Sequence, residues 1–276
     1  MPARSRLRTY VVRFSHQGPR AVIAAGALGV CLLLGLGLGP FTPLALDRAE
    51  RALLEDGPVS ALEGCEQVGR WGLLGSWRAR ADYRAATLYA RQLDQPSQAV
   101  SRLRTLLQQG EADPALEALA LQLLAESLEA RSKHRLAAER YEQLTRQVED
   151  PSPWLQAAAR AWERAGRLDR ALLRHAALTV HPSPRSTQAY LAMGRISLGQ
   201  GRTDKGYDYY AAALEAQPNL EQARLARLGM ALALDDMGQF EQALAELDEA
   251  SAGGDVAIDI TRDRLQRRAA EGQSTP

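Results

Sequence analysis

The sequence predicts an all-α protein built from repeated helical hairpins, and three observations predict it. The composition is rich in Ala, Leu and Arg, 46% hydrophobic but only 5% aromatic, and it lacks β-branched runs, a balance that favours helix over sheet. Apolar residues at helical spacing alternate with Gly- or Pro-bearing breaks along most of the chain. One 34-residue stretch, Thr187 to Leu220, recurs in recognisable form before and after itself.

That stretch reads as two amphipathic helices joined by a turn at Gly201. Tyr190, Met193, Gly194 and Ser197 fall at i, i+3, i+4 and i+7 and share one face. Gly206, Tyr210 and Ala213 line the inner face of the second helix, and Pro218 ends it because proline removes a backbone donor. Gly194 and Gly206 let the two backbones approach, with the larger residues filling the remaining space. The order Tyr190, Gly194, Tyr210, Ala213, Pro218 resembles the tetratricopeptide repeat, a 34-residue helix-turn-helix, with Met193, Ser197 and Gly206 departing from the family pattern. The resemblance implies a TPR-like α-solenoid whose first helices line a protein- or peptide-binding groove.

Taken in order, the chain opens on a basic arm, residues 1–20, with Arg4, Arg6, Arg8, Arg13 and Arg20 and no acid. A run of 26 residues without a charge follows, Ala21 to Leu46. About 20 apolar residues cross a hydrocarbon core, so residues 21–41 are expected to form a single transmembrane helix, with Pro40 and Pro43 ending it. Arginines on its N-terminal side place the arm in the cytoplasm and the bulk of the chain outside it, in the periplasm of an inner-membrane protein. The alternative is a cleaved signal peptide, for which this run is long and lacks a small-x-small site near its end. Cys31 follows Val30, where a lipoprotein box needs a small residue. Ala21, Ala25 and Gly29, like Gly35 and Gly39, recur every four residues and suit close helix contact in a bilayer.

The solenoid is expected over residues 42–254. Ser152–Arg185 places Leu155, Ala158, Ala159 and Trp162 inside on its first helix, Gly166 in the turn, and Ala171 and Leu178 on its second. Ala118–Pro151 places Leu121, Leu124, Ala125 and Leu128, then Ala137, Tyr141 and Leu144. Arg80–Asp113 places Tyr83, Ala86 and Ala90, then Ala99, Leu103 and Leu106. Thr42–Gly75 is a degenerate unit carrying Ala61, Cys65 and Val68 after Pro58. In the last repeat Gly238, Ala243, Leu247 and Ala250 mark the second helix, and two registers compete for the first. Gly229 as the small inner residue puts Leu225, Leu228 and Leu232 inside; Ala231 in that role puts Arg227 inside. An unpaired buried arginine costs several kcal/mol, which favours the Gly229 register. A C-terminal capping helix is expected over residues 255–270, N-capped by Asp255, with Val256, Ala257, Ile260 and Leu265 on its apolar face. Residues 271–276 are expected to be a disordered tail.

No enzyme is expected. The chain has no HExxH, GxSxG, phosphate-binding or dinucleotide-binding loop, and its four histidines share no metal-ligand spacing, so neither a cofactor nor a metal is implied. His175 and His181 read as surface or turn residues, Cys65 as a small core residue, and the acid pair Asp235–Asp236 as a solvated helix end. Beyond the N-terminal arm, 29 basic residues face 33 acidic ones, which excludes a nucleic-acid-binding surface of the ordinary basic kind. No small-molecule substrate is implied either.

The function lies in the groove. The repeat register turns Arg84, Arg91, Gln122, Glu126, Gln156, Arg160, Gln188 and Arg195 toward it. Its arginines suit a carboxylate or acidic peptide, although arginine supplies 32 of the 34 basic residues and a mixed solvated face fits the same pattern. The Lys/Asn clamp that resembles chaperone-tail-binding members of the family is not reproduced there. The layout resembles membrane-anchored repeat subunits of secretion, cytochrome maturation or pilus and envelope machines: a scaffold holding a protein partner at the membrane. The alternative is a chaperone-like holder of unfolded exported clients, using the nearly all-apolar helix Leu225–Leu234 as an open groove.

Overall fold

The computed structural model describes residues 45–71, 75–180, 184–250 and 256–273. The expected cytoplasmic arm and transmembrane span lie outside the described residues. Among the described residues there is no strand, and no helix is long and apolar enough to cross a membrane. The helices are α1 (45–55), α2 (Pro58–Trp71), α3 (Gly75–Arg91), α4 (Pro96–Gln109), α5 (Pro114–Ala130), α6 (His134–Leu144), α7 (Ser152–Arg164), α8 (Leu168–Ala177), α9 (Pro184–Gly199), α10 (Thr203–Glu215), α11 (Leu220–Asp236), α12 (Phe240–Ala250) and α13 (Val256–Gln273). They fall into two compact units that divide between Ala120 and Leu121, within α5.

In the first unit Ala61, Cys65 and Val68 of α2, Ala86 of α3, and Ala99, Leu103 and Leu106 of α4 are buried as their spacing anticipates, whereas Tyr83 and Ala90 of α3 are only half-buried. Ala49 of α1, Ala61 and Cys65 of α2, and Ala85 and Leu88 of α3 form one cluster. Ala99, Val100, Leu103 and Leu106 of α4 are buried at i, i+1, i+4 and i+7, a stripe that fits one side of a 3.6-residue helix. Pro96 starts α4, where its missing N–H is no loss, and Gly110 ends it in the left-handed region at φ +65°.

In the second unit each helix from α6 to α13 packs on its neighbour in sequence, and α9 also touches α7 and α11. The hairpins share one turn. Ser132, Gly166, Gly201 and Gly238 all have positive φ, between +55° and +75°. At each, the N–H of the following residue donates to a carbonyl five residues back, Lys133 to Leu128, Arg167 to Trp162, Arg202 to Ser197 and Gln239 to Leu234, at 2.8 to 2.9 Å. The N–H of the turn residue itself donates three residues back. These paired bonds satisfy carbonyls that a helix end otherwise leaves open. The turn therefore sets the register of each unit. Nine residues beyond it stand Tyr141, His175, Tyr210 and Leu247, all buried. Three residues before it stand Glu129, Glu163, Leu198 and Asp235.

The last repeat departs from the favoured reading. Ala231 is fully buried against Ala243 and Leu247, with Leu234 beside it, whereas Leu225 is 46% exposed. Arg227 takes the inner position after all, because Glu246 (2.9 Å) and Glu249 (2.5 Å) pair with it. The penalty that argued against this register applies only to an unpaired charge. Gly229 instead faces back toward Tyr210 of the preceding unit.

The capping helix also turns differently from expectation. Ile258 and Leu265 are buried, while Val256 is 71% and Ile260 64% exposed. It continues to Gln273, through the first residues of the expected tail, and the expected N-cap Asp255 lies outside the described residues. Asp235 is no solvated helix end: it is 3% exposed and is gripped by Arg264 (3.3 Å) and Arg268 of α13. Two guanidinium groups thus offset the cost of burying that carboxylate and tie α13 to α11.

Candidate partner-binding cleft

The first helices α7 and α9 of two consecutive units in the second body stand side by side with matching faces. Gln156, Arg160 and Glu163 lie at i, i+4 and i+7 on α7; Gln188, Ala192 and Arg195 lie at i, i+4 and i+7 on α9. Residues 32 apart meet as rungs. The Gln156 amide donates to Oε1 of Gln188 at 2.6 Å, and Arg195 donates to Oε2 of Glu163. On the middle rung, Arg160 faces the cleft opposite Ala192, which has no polar group to offer it. Arg160 is exposed and makes no hydrogen bond or ion pair with any described residue. The cleft encloses about 160 Å³, with Leu178 and Ala189 also on its wall.

Beneath it lies His175, which the sequence reading placed at the surface or in a turn. The side chain is 4% exposed, because it occupies the inner position nine residues past the turn that Tyr and Leu fill in other units. Its Nε2 is 2.7 Å from Oε1 of Glu163, and its Nδ1 has no partner among the described residues. Burial pushes the Glu163 carboxyl up, but the hydrogen bonds from His175 and Arg195 outweigh it and hold the group below its ordinary range. Glu163 is thus an ionised acceptor, and the Nε2–H of His175 donates to it. The same place in the preceding unit holds Glu129, which accepts from the Tyr141 hydroxyl at 3.0 Å and from Arg164 at 2.9 Å. The signal for a buried His175 was in the register: counting from Gly166 puts it in line with Tyr141 and Tyr210.

The remaining groove candidates do not line this cleft. Gln122 donates to Glu126 at 2.8 Å on α5. Arg84 and Arg91 belong to the first unit, where Arg84 pairs with Glu50 of α1 and Arg91 is exposed at the end of α3. The first unit has a larger cleft, about 520 Å³, lined by Glu66, Arg70, Arg78, Asp82 and Arg102 among others. Its charges pair off: Arg102 spans Glu66 (2.8 Å) and Asp82 (3.2 Å), and Arg78 binds Glu111 (2.8 Å). Burial raises the Asp82 carboxyl while Arg102 opposes the rise. Among the described residues no group of three His, Cys, Asp or Glu side chains is placed to hold a metal.

Helical hairpins with a shared turn, stacked at intervals of 34 to 37 residues, define an α-solenoid. No family model and no curated protein matches the chain. Among solved structures, a tetratricopeptide repeat protein from Parabacteroides merdae is similar with a TM-score of 0.51, at 13% identity, over 84% of this chain and 88% of its own. MamA AMB-1 is similar at a TM-score of 0.49 and 17% identity, over 66% of this chain and 97% of its own. BtubC (BKLC) from P. vanneervenii is similar at 0.45 and 19%, over 86% and 92% of the two chains. The fold of the described residues is that of a tetratricopeptide-repeat protein.

Proposed function

We propose that this protein is a membrane-anchored scaffold that binds a protein partner through the α7–α9 cleft. The observation that carries the reading is Arg160, an exposed arginine without a partner among the described residues, on the face that first helices of this fold present to ligands. An exposed cation between two helices, unpaired among the described residues, serves recognition better than stability, since the neighbouring rungs already join the helices. Residues 21–41 anchor the chain in a bacterial inner membrane and the array lies in the periplasm; the support is the charge-free run after five arginines. Anchoring raises the local concentration of the cleft at the membrane, which suits assembly of an envelope, secretion or cytochrome maturation machine.

The alternative, a holder of unfolded clients, needs an open apolar face on α11. Ala226, Met230, Ala231, Ala233 and Leu234 of that helix are buried instead.

The test is crosslinking in intact cells, then affinity purification of the full-length protein and mass spectrometry, comparing wild type with Arg160→Glu. A defined set of membrane proteins that is recovered with the wild type and depleted with the variant is the expected result. The same set with both would overturn the role of the cleft, and a broad sample of unrelated exported proteins would restore the client-holder reading. A reporter fused to the C-terminus should be active only outside the cytoplasm; activity inside would overturn the topology.

A further inference from the structure

The α7–α9 ladder has an amide rung, an ionic rung and, between them, a rung with one half missing. Arg160 and Ala192 both line the cleft, the methyl group of Ala192 offers no acceptor, and Arg160 has no ion pair among the described residues, so the place that an acidic side chain would fill is open. Next to it, Arg195 is 65% exposed and donates to Glu163, whose other oxygen is held by buried His175. Resting on the reading of this cleft as the partner-binding surface, we propose that a carboxylate side chain from an acidic segment of the partner seats on Arg160 and takes Arg195 from Glu163. Glu163 is then the internal carboxylate that occupies Arg195 until the ligand arrives.

Three features support the exchange. An ion pair with one exposed partner is worth little, so breaking it opposes binding only weakly. Glu163 is not stranded when Arg195 leaves, because the 2.7 Å bond from His175 remains. Two guanidinium groups on adjacent helices can then grip one carboxylate by forked hydrogen bonds. The Gln156–Gln188 bond uses one donor and one acceptor of the two amides. Their remaining groups suit a backbone that continues past the carboxylate, as it does at an internal Asp or Glu and not at a chain end.

The experiment uses purified full-length protein in detergent and two fluorescein-labelled Gly/Ser peptides. One carries four consecutive glutamates and an amidated C-terminus; the other is uncharged along its length with a free C-terminal carboxylate. The acidic peptide should bind, and Arg160→Gln should weaken it roughly tenfold, the scale of a charge-assisted hydrogen bond. Glu163→Gln, which keeps an acceptor for His175, should tighten binding by about twofold to fivefold, the scale of one exposed pair. Arg195→Gln should cost more in the Glu163→Gln background than in wild type, with circular dichroism confirming that each variant is folded.

Unchanged or weaker binding by Glu163→Gln, or simple additivity of the two changes, would overturn the displacement and leave the cleft reading standing. Binding of the free-carboxylate peptide alone would overturn the acidic-segment source. If neither peptide binds wild type or Glu163→Gln, the anion-binding cleft itself is wrong.

Discussion

Gly229 lies against the ring of Tyr210: a methyl group at position 229 would stand 2.3 Å from the ring carbon Cζ. Gly194 meets the same ring from α9, with a methyl group there 2.9 Å from Cζ. The phenol of one unit is thus received between glycines of the two first helices beside it, and burial pushes its hydroxyl pKa up.

Gly229→Ala should therefore destabilise the protein. In an open helix the change would help by nearly 1 kcal/mol through propensity. Here overpacking dominates, at about 1–3 kcal/mol. Thermal unfolding followed by circular dichroism checks the sign, and Tyr210→Leu in the same chain should recover part of the loss. A more stable Gly229→Ala protein would show that α10 and α11 separate freely, contrary to this packing.

Asp235 yields the second prediction. Its carboxylate is 3% exposed and the two arginines that grip it are about half exposed. Removing the acid leaves cations that water can solvate, whereas removing both cations leaves a buried charge alone. The double change Arg264→Gln, Arg268→Gln should cost about 3 kcal/mol or more. Asp235→Asn should cost clearly less. Denaturant unfolding of the two variants gives the order, and equal costs would contradict the asymmetry of exposure.

The fold was legible because its signals are local and periodic. Ala158, Ala159 and Trp162, or Ala137, Tyr141 and Leu144, stand at helical spacing between turn residues, and all six are buried. What spacing could not supply was pairing. Arg227 looked costly to bury because Glu246 and Glu249 come from another helix, and Asp235 looked solvated because Arg264 and Arg268 lie about 30 residues on. The candidate cleft residues split for the same reason. Gln156, Arg160, Gln188 and Arg195 line one cleft, but their i, i+32 rungs and the acid Glu163 depend on how α9 sits on α7. Arg84 has Glu50 beside it, a partner supplied by α1, which the degenerate first unit did not advertise.

Ser132 occupies the turn position that glycine holds in the next three hairpins, at φ +55°. A side chain in that region costs of order 1–3 kcal/mol, part of which glycine forfeits through its freer unfolded chain. Ser132→Gly should raise stability by about 1 kcal/mol. The midpoint of thermal unfolding should rise, while Gly166→Ser, the reverse change one unit on, should lower it. A fall in the first case would mean that the Ser132 side chain contributes a stabilising contact of its own.

Glu163 gives a pH dependence with a defined sign. Burial alone would raise its carboxyl pKa above the ordinary 4.5, but hydrogen bonds from His175 and Arg195 bring it below that value in the fold. A carboxyl whose folded pKa is depressed binds its proton more readily in the unfolded chain, so its stabilising effect is present above the unfolded value and is lost as pH falls through the folded one. Glu163→Gln lacks this contribution at every pH. The stability difference between wild type and Glu163→Gln should therefore be largest on the plateau above about pH 5 and shrink toward about pH 3. Denaturant unfolding of both proteins across that range measures it directly. A difference that stays constant down to the lowest pH would mean that the His175–Glu163–Arg195 bonds do not favour the ionised carboxylate, and the cleft would then lose the internal anion on which its exchange with a ligand depends.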